Sequence, residues 1–383
     1  MILFTAISSY IVQMTIIPKS ITMGLVFILA LLLIGKCLED QRINKKILYP
    51  TFVVKMAPFY CWVVLSALWS INSSDYISFA LIRTLLAFEY GIATAYFCRN
   101  IQDYFSILKG FIFGGIVSSI VVLSLQHQFI GSMRLGGFIY GSPMEFSGGL
   151  IVSNISALIL WGNTKNKFFL IASLFFFSIC ALSGSRSALV IPILFFAIMN
   201  ICIKQQIFKI VKITTILVIV SSVFFVASQK ISVFYEVVGF RIEQLIENKT
   251  SDGSYTERKI MKDIAIDAWK ENPICGLGLY GFGKKLETQY GKNVYSHCDY
   301  AELLSCFGLV GTCLFYAPII SIFYRKKIFS ITKNNLCQGS LFSFFAIMVF
   351  RLGSTIYFLS IKDMMIISLL FTFFKRTPSN KVL

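Results

Sequence analysis

The chain has 383 residues, of which 56% are hydrophobic and only 14% charged, and its mean hydropathy is +0.76. Soluble domains carry about 25% charged residues, so a water-soluble fold of this length has nowhere to put so much apolar side chain. The net charge of +17 would suit nucleic acid, but most basic residues sit in short links between apolar runs, which argues against a nucleic-acid partner and for a membrane protein setting its orientation.

Uncharged runs such as Leu25–Ile34, Ile155–Trp161, Phe168–Leu182 and Ile213–Ala227 are long enough to be, or to core, bilayer-spanning helices of roughly 20 residues. The stretch Met1 to Pro18 has no basic residue ahead of its apolar part and reads as a retained first helix, not a removed signal peptide. In chain order the sequence predicts spans near 2–18, 21–35, 52–71, 77–97, 107–125, 145–162, 168–183, 187–203, 213–229, 300–324, 339–359 and 363–374. The predicted class is an all-α polytopic integral membrane bundle of about twelve helices. Residues 1–229 form an N-terminal transmembrane part, 230–298 one large polar loop, and 299–383 the C-terminal transmembrane helices.

The basic links alternate in strength. On one side lie Lys36, Arg42, Lys45 and Lys46, then Arg99, then Lys165 and Lys167, then Lys204, Lys209 and Lys212, then Arg325, Lys326, Lys327 and Lys333, and the tail residues Lys375, Arg376 and Lys381. The other side's short links hold only Lys19, Arg134, Arg186 and Lys362. The positive-inside rule therefore puts both termini in the cytoplasm and the loop 230–298 outside. With no inverted repeat, a secondary transporter loses its best sequence support.

Chemistry concentrates in and after that loop. Ser254-Tyr-Thr-Glu257 has the form of a capping box, and an amphipathic helix follows. Its apolar face is Ile260, Met261, Ile264, Ala265, Ala268 and Trp269, and Arg258, Lys259, Lys262 and Lys270 crowd the polar side until Pro273 and Gly276 end it. Arg258 falls near the first turn, where free N–H groups favour an anion; a solvated basic face is the plainer alternative. The glycine-rich run Asn272 to Gly283 lacks the strand and helix of a phosphate loop and reads as a tight turn near the membrane.

Ser296-His-Cys-Asp-Tyr-Ala-Glu302 opens the next span, with Ser296 and Asp299 as a cap and His297 in the first turn beside Asp299 and Glu302. An imidazole there can take a proton near neutral pH, and a nearby carboxylate raises its basicity. Ionisable residues inside spans usually mark function. Arg83, Glu89 and Arg351 are such residues, and Arg186 follows Ser183-Gly-Ser185 at the end of another span. Arg83, Arg186, Arg258 and Arg351 are candidates for one outward-facing anion site, since guanidinium forks suit phosphate oxygens; a structural Arg83–Glu89 pair and interfacial snorkelling of Arg186 are the alternatives. Cysteines in apolar runs read as small packing residues. Cys275 and Cys298 flank one loop and can pair in an oxidising compartment. Two histidines and no zinc-type Cys/His spacing leave no sign of a metal site.

Ser183-Gly-Ser-Arg-Ser-Ala-Leu189, Arg258 leading to Ala268-Trp269, Asn272-Pro273 with Gly276-Leu-Gly278, and His297-Cys-Asp-Tyr-Ala-Glu-Leu-Leu304 running into Gly308-Leu-Val-Gly311 together resemble the O-antigen ligase and O-antigen polymerase superfamily of bacterial envelope glycosyltransferases. The resemblance covers roughly residues 180–325 and departs from the usual pattern at Cys298, where the family has Asn. It implies a GT-C-like helical membrane fold in the bacterial inner membrane. The implied activity is metal-independent, cofactor-free transfer of a glycan from an undecaprenyl diphosphate carrier to an acceptor hydroxyl at the periplasmic face. It also implies that Arg186 and Arg258 bind the diphosphate, that His297 is the catalytic histidine, and that a chain-length regulator protein is a partner beside the lipid bilayer. The His-x-Asp-Tyr-x-Glu-Leu-Leu run looks more like the polymerases, which join O units, than the ligases, which move the chain to lipid A–core. A lipid-linked oligosaccharide flippase is the alternative from another class; it needs a charged cavity but no outer loop bearing histidine and arginine.

Overall fold

The computed structural model describes residues 1–44, 50–129, 134–183, 185–204, 253–323 and 336–374. Among these, all regular structure is helical: α1 Ile2–Ile11, α2 Lys19–Asn44, α3 Thr51–Ser66, α4 Ser74–Phe97, α5 Ile101–Gln126, α6 Gly137–Tyr140, α7 Pro143–Thr164, α8 Lys167–Leu182, α9 Arg186–Lys204, α10 Gly253–Glu271, α11 Gly281–Tyr290, α12 Asp299–Phe323, α13 Leu336–Arg351 and α14 Ile361–Phe373. Six helices are long and apolar enough to cross a membrane, namely α2, α3 with its 3-10 extension to Trp69, α4, α5, α7 and α12. Met23, Phe27, Leu31, Ile34 and Leu38 of α2 are exposed, an apolar surface that only lipid can cover at low cost. The chain is a multi-pass helical membrane protein.

Eleven of the expected spans have a helix in the described residues; the ninth, 213–229, lies outside them, as do the loop residues up to Asp252. The first span is shorter than predicted. α1 stops at Ile11 instead of reaching Pro18, because Thr15 turns back and its N–H donates to Ile139 O at 2.6 Å.

Two compact units share the chain. The first is Met1–Leu32, Phe97–Asp252 and Ser330–Ile347. In it α1 packs on α5, where Gly110 and Gly114 form a small-residue stripe: a Cβ at either would come within 2.5 Å of Ala6 or Tyr10. α7 packs on α5 and α8, tied to α5 by the Ser153 hydroxyl donating to Phe111 O at 2.9 Å and to α8 by the Ser173 hydroxyl donating to Asn154 Oδ1 at 2.6 Å.

The second unit is Leu33–Tyr96, Gly253–Phe329 and Met348–Leu383. Its core is aromatic, with Phe59 against Phe307, Phe315 and Phe358. Its central feature is a broken membrane helix. α12 loses its helical path at Gly308 (φ 63°, ψ −165°), which strands two carbonyls, Ser305 and Cys306, and two N–H groups, Leu309 and Val310. The glycine-rich run fills the gap. Leu277 and Gly278 N–H donate to Ser305 and Cys306 O at 2.9 and 2.8 Å, and Leu309 and Val310 N–H donate to Pro273 and Ile274 O at 2.9 and 3.2 Å. Backbone left unsatisfied at membrane depth costs several kcal/mol per group, so a break is tolerated only where protein re-pairs it, as here. Two glycines make the approach possible. A Cβ at Gly308 would stand 2.1 Å from Ile274 O, and one at Gly276 would stand 2.5 Å from the Cys306 carbonyl carbon.

Candidate active site

α10 ends at Glu271, just ahead of Pro273, as its pattern predicts, but begins at Gly253, so Ser254 is inside the helix and not its cap. Met261, Ala265 and Ala268 are buried where α10 packs against α12. Arg258 heads that row at helical spacing (i, i+3, i+7, i+10), which the sequence reading, placing it on the polar side, did not bring out. Glu257 beside it forms a close ion pair with Lys292, tying α10 to the segment that leads into His297.

His297 precedes α12, which starts at Asp299, and does not lie in its first turn as expected. Its φ is 57°, a left-handed conformation that costs an L-residue roughly 1–2 kcal/mol and turns the chain sharply into the helix. Neighbouring groups hold it there. Ser296 Oγ accepts from Cys298 N–H at 3.3 Å, and Ser296 N–H donates to Glu302 Oε2 at 2.7 Å. Asp299 Oδ1 accepts from Tyr357 N–H at 2.7 Å and Oδ2 from the Tyr316 hydroxyl at 2.5 Å, while Asp299 N–H donates to Leu352 O at 2.8 Å. The remaining Glu302 oxygen accepts from Cys306 Sγ at 3.5 Å. All four carboxylate oxygens thus bond to groups other than the imidazole, and the two acids fix the backbone on either side of it.

The charge environment of His297 comes from α10. Burial and then the Arg258 guanidinium lower its pKa from the usual value near 6.5 to about 4, and the Glu257 carboxylate pulls the other way without prevailing. The imidazole is neutral at physiological pH, with a nitrogen free of protons to accept one. The Tyr295 ring meets it edge-on, centroids 4.6 Å apart.

Arg83 on α4 lies over the Phe79 ring, 5.5 Å from its centroid, and acts electrostatically on Tyr280, as does Glu302. Glu89 is six residues away, well round the helix from Arg83 and not at the i+3 or i+4 spacing of a helical pair, and its Oε1 is buried without a hydrogen-bond partner. Arg351 ends α13 and acts on Tyr357, the residue that anchors Asp299. Arg186 is the first residue of α9 in the other unit, and its side chain lies outside the described residues. The second unit therefore brings Arg258 to His297, with Asp299 and Glu302 as its supports. The roles of Glu257, Tyr280, Tyr295, Tyr316 and Tyr357 were not foreseen; Glu257 beside Arg258, Tyr280 in the glycine-rich run and Tyr295 two residues from His297 carried a local signal. Cys275 and Cys298 are both free thiols, the first exposed and the second buried, so the pairing their spacing allowed is not formed. Among the described residues no cluster of three His, Cys, Asp or Glu side chains is placed to hold a metal.

Residues 171–316, which span α10, His297 and the broken helix, match the family model described as O-antigen ligase. The match supports the O-antigen ligase and polymerase superfamily. Among curated proteins, none matches the chain. The family supports a glycosyltransferase type of activity for this membrane protein without separating ligase from polymerase.

Proposed function

We propose that the chain transfers a glycan from a polyprenyl diphosphate carrier to an acceptor hydroxyl, as an O-antigen polymerase of the bacterial inner membrane working at its periplasmic face. The observation that carries this reading is the Arg258 guanidinium acting on a neutral, half-buried His297. Glycosyl transfer from such a carrier needs two things. A base must take the acceptor proton as its oxygen attacks the anomeric carbon, and cations must hold the charge that develops as the carbon–oxygen bond to the diphosphate breaks. His297 serves as the base. Arg258 holds the leaving lipid diphosphate by guanidinium forks, with Arg83 and Arg351 as further candidates in the same unit, and the family resemblance assigns Arg186 the same role.

The low pKa of His297 fits an ordered cycle. Arg258 disfavours the imidazolium while the site is empty. A bound diphosphate offsets that positive charge and makes the imidazole a stronger base only when a donor is present. Polymerisation is favoured over ligation by the run His297-Cys-Asp-Tyr-Ala-Glu-Leu-Leu. The second reading is ligation, transfer to lipid A–core, from which the family match does not separate polymerisation. Two experiments test the proposal. Purified protein given lipid-linked O units should lengthen them, and failure to transfer would leave a flippase as the better account. Deletion of the gene should leave lipopolysaccharide with core plus one repeat unit; bare core would mean ligase.

A further inference from the structure

Three tyrosines beside the catalytic residues have no part in the chemistry above. Tyr280 has φ 58°, and a bulky residue in the left-handed region is a genuine outlier that surrounding structure must enforce. The enforcement is visible: Asn72 Nδ2 donates to Tyr280 O at 2.7 Å, and the Ser70 hydroxyl donates to the preceding Leu279 O at 2.7 Å. A glycine would take this backbone without strain, so the position holds a ring at a cost. That ring is buried and stacks on Tyr76 of α4, centroids 5.9 Å apart and planes 14° from parallel, while Tyr76 is 40% exposed. Tyr280 also lies within electrostatic reach of Tyr295, and Tyr295 abuts His297. Two ring pairs, Tyr76 with Tyr280 at accessible surface and Tyr295 with the imidazole, thus lie within electrostatic reach of each other.

We propose that Tyr76 and Tyr295 form a saccharide-binding strip that seats pyranose rings of the glycan beside His297, with the buried Tyr280 ring backing Tyr76. Flat aromatic faces are rigid, lose little entropy on binding and match the apolar C–H faces of sugar rings, while the phenol oxygens supply polar partners for ring hydroxyls. Burial raises the pKa of the Tyr280 hydroxyl, which keeps it a donor. The proposal rests on the glycosyl-transfer reading of the site and names what holds the sugar.

The probe is the repeat-unit oligosaccharide released from its carrier by mild acid, titrated into the purified full chain in nanodiscs. Tyr76→Ala and Tyr295→Ala should each weaken its binding by about tenfold, the scale of one lost aromatic contact. Tyr76→Phe and Tyr295→Phe should bind within about threefold of wild type, because the ring and not the hydroxyl is the main contact. In transfer assays, a raised KM for the acceptor alone assigns the strip to the acceptor glycan, and a raised KM for the donor alone assigns it to the donor's. Wild-type affinity in both alanine variants, each eluting as the wild type does, would overturn the strip. Alanine variants that lose thermal stability yet keep glycan affinity would overturn it too, because the tyrosines would then be interfacial anchors. Protein that transfers glycan without binding the free oligosaccharide would overturn the strip while sparing the enzyme. Binding that depends on the tyrosines in a protein that never transfers would sustain the strip and sink the enzyme.

Discussion

Burial and the Arg258 guanidinium together hold the His297 imidazole at about 4, so the candidate base is neutral across physiological pH. The pH dependence follows with a definite sign. kcat/KM, which reports the free enzyme, should be level above about pH 5 and fall only toward pH 4. kcat should fall at a higher pH, because a bound diphosphate offsets Arg258. Arg258→Gln should raise the imidazole pKa of the free protein, read by NMR titration with His127→Gln to assign the signal. An unchanged pKa would show that burial acts alone. The same depression makes the unfolded chain bind more protons than the folded one between about pH 6.5 and 4, so His297 lowers stability as pH falls through that window.

Arg258→Ala should abolish transfer with the protein still present in the membrane, and Arg186→Ala should do the same. Lysine at either position should be nearly as poor, since one ammonium does not reproduce a bidentate fork. Transfer assays beside membrane immunoblots check this; wild-type activity in both alanine variants would remove the diphosphate site.

Arg83→Gln should reduce transfer, whereas Glu89→Gln should not, because the two are not spaced as a helical pair and Arg83 faces Phe79 and Tyr280. An active Arg83→Gln/Glu89→Gln double variant would make Arg83 structural.

Gly308→Ala should prevent folding, since its new Cβ would stand 2.1 Å from Ile274 O and its backbone lies at φ 63°, ψ −165°, a region essentially confined to glycine. Gly291→Ala is the matched comparison. Its Cβ would meet open space, so only left-handed strain of roughly 1–2 kcal/mol applies. Thermal melts of the two variants should differ accordingly, and a well-folded Gly308→Ala would contradict the spliced helix.

The helical membrane architecture was legible because apolar runs and basic links are local signals, and α4, α5, α7 and α12 lie where those runs place them. The broken helix was not. Residues 272–283 showed that glycines were needed, but the groups they pair with, Ser305 to Val310, lie some thirty residues on, and no local pattern reports such a pairing. The end of α1 and the role of Asp299 were hidden for the same reason: Ile139, Tyr316 and Tyr357 are distant partners. Arg258 and His297 were readable as residue types, and only the fold shows that the carboxylate acting on the imidazole is Glu257 of α10.

Topology follows from the basic links. A reporter fused at Lys249 should be extracytoplasmic and one at Lys381 cytoplasmic; a cytoplasmic signal at Lys249 would put His297 on the wrong face for a periplasmic acceptor.

The most direct test is the transfer rate of His297 variants with carrier binding measured alongside. His297→Ala should lower the rate by about a hundred- to ten-thousand-fold, the usual contribution of a positioned base, and leave carrier binding in place. His297→Gln and His297→Asn, which keep a hydrogen-bonding side chain but take no proton, should be as slow. If either retains most of the wild-type rate, His297 only donates a hydrogen bond to substrate and is not the base.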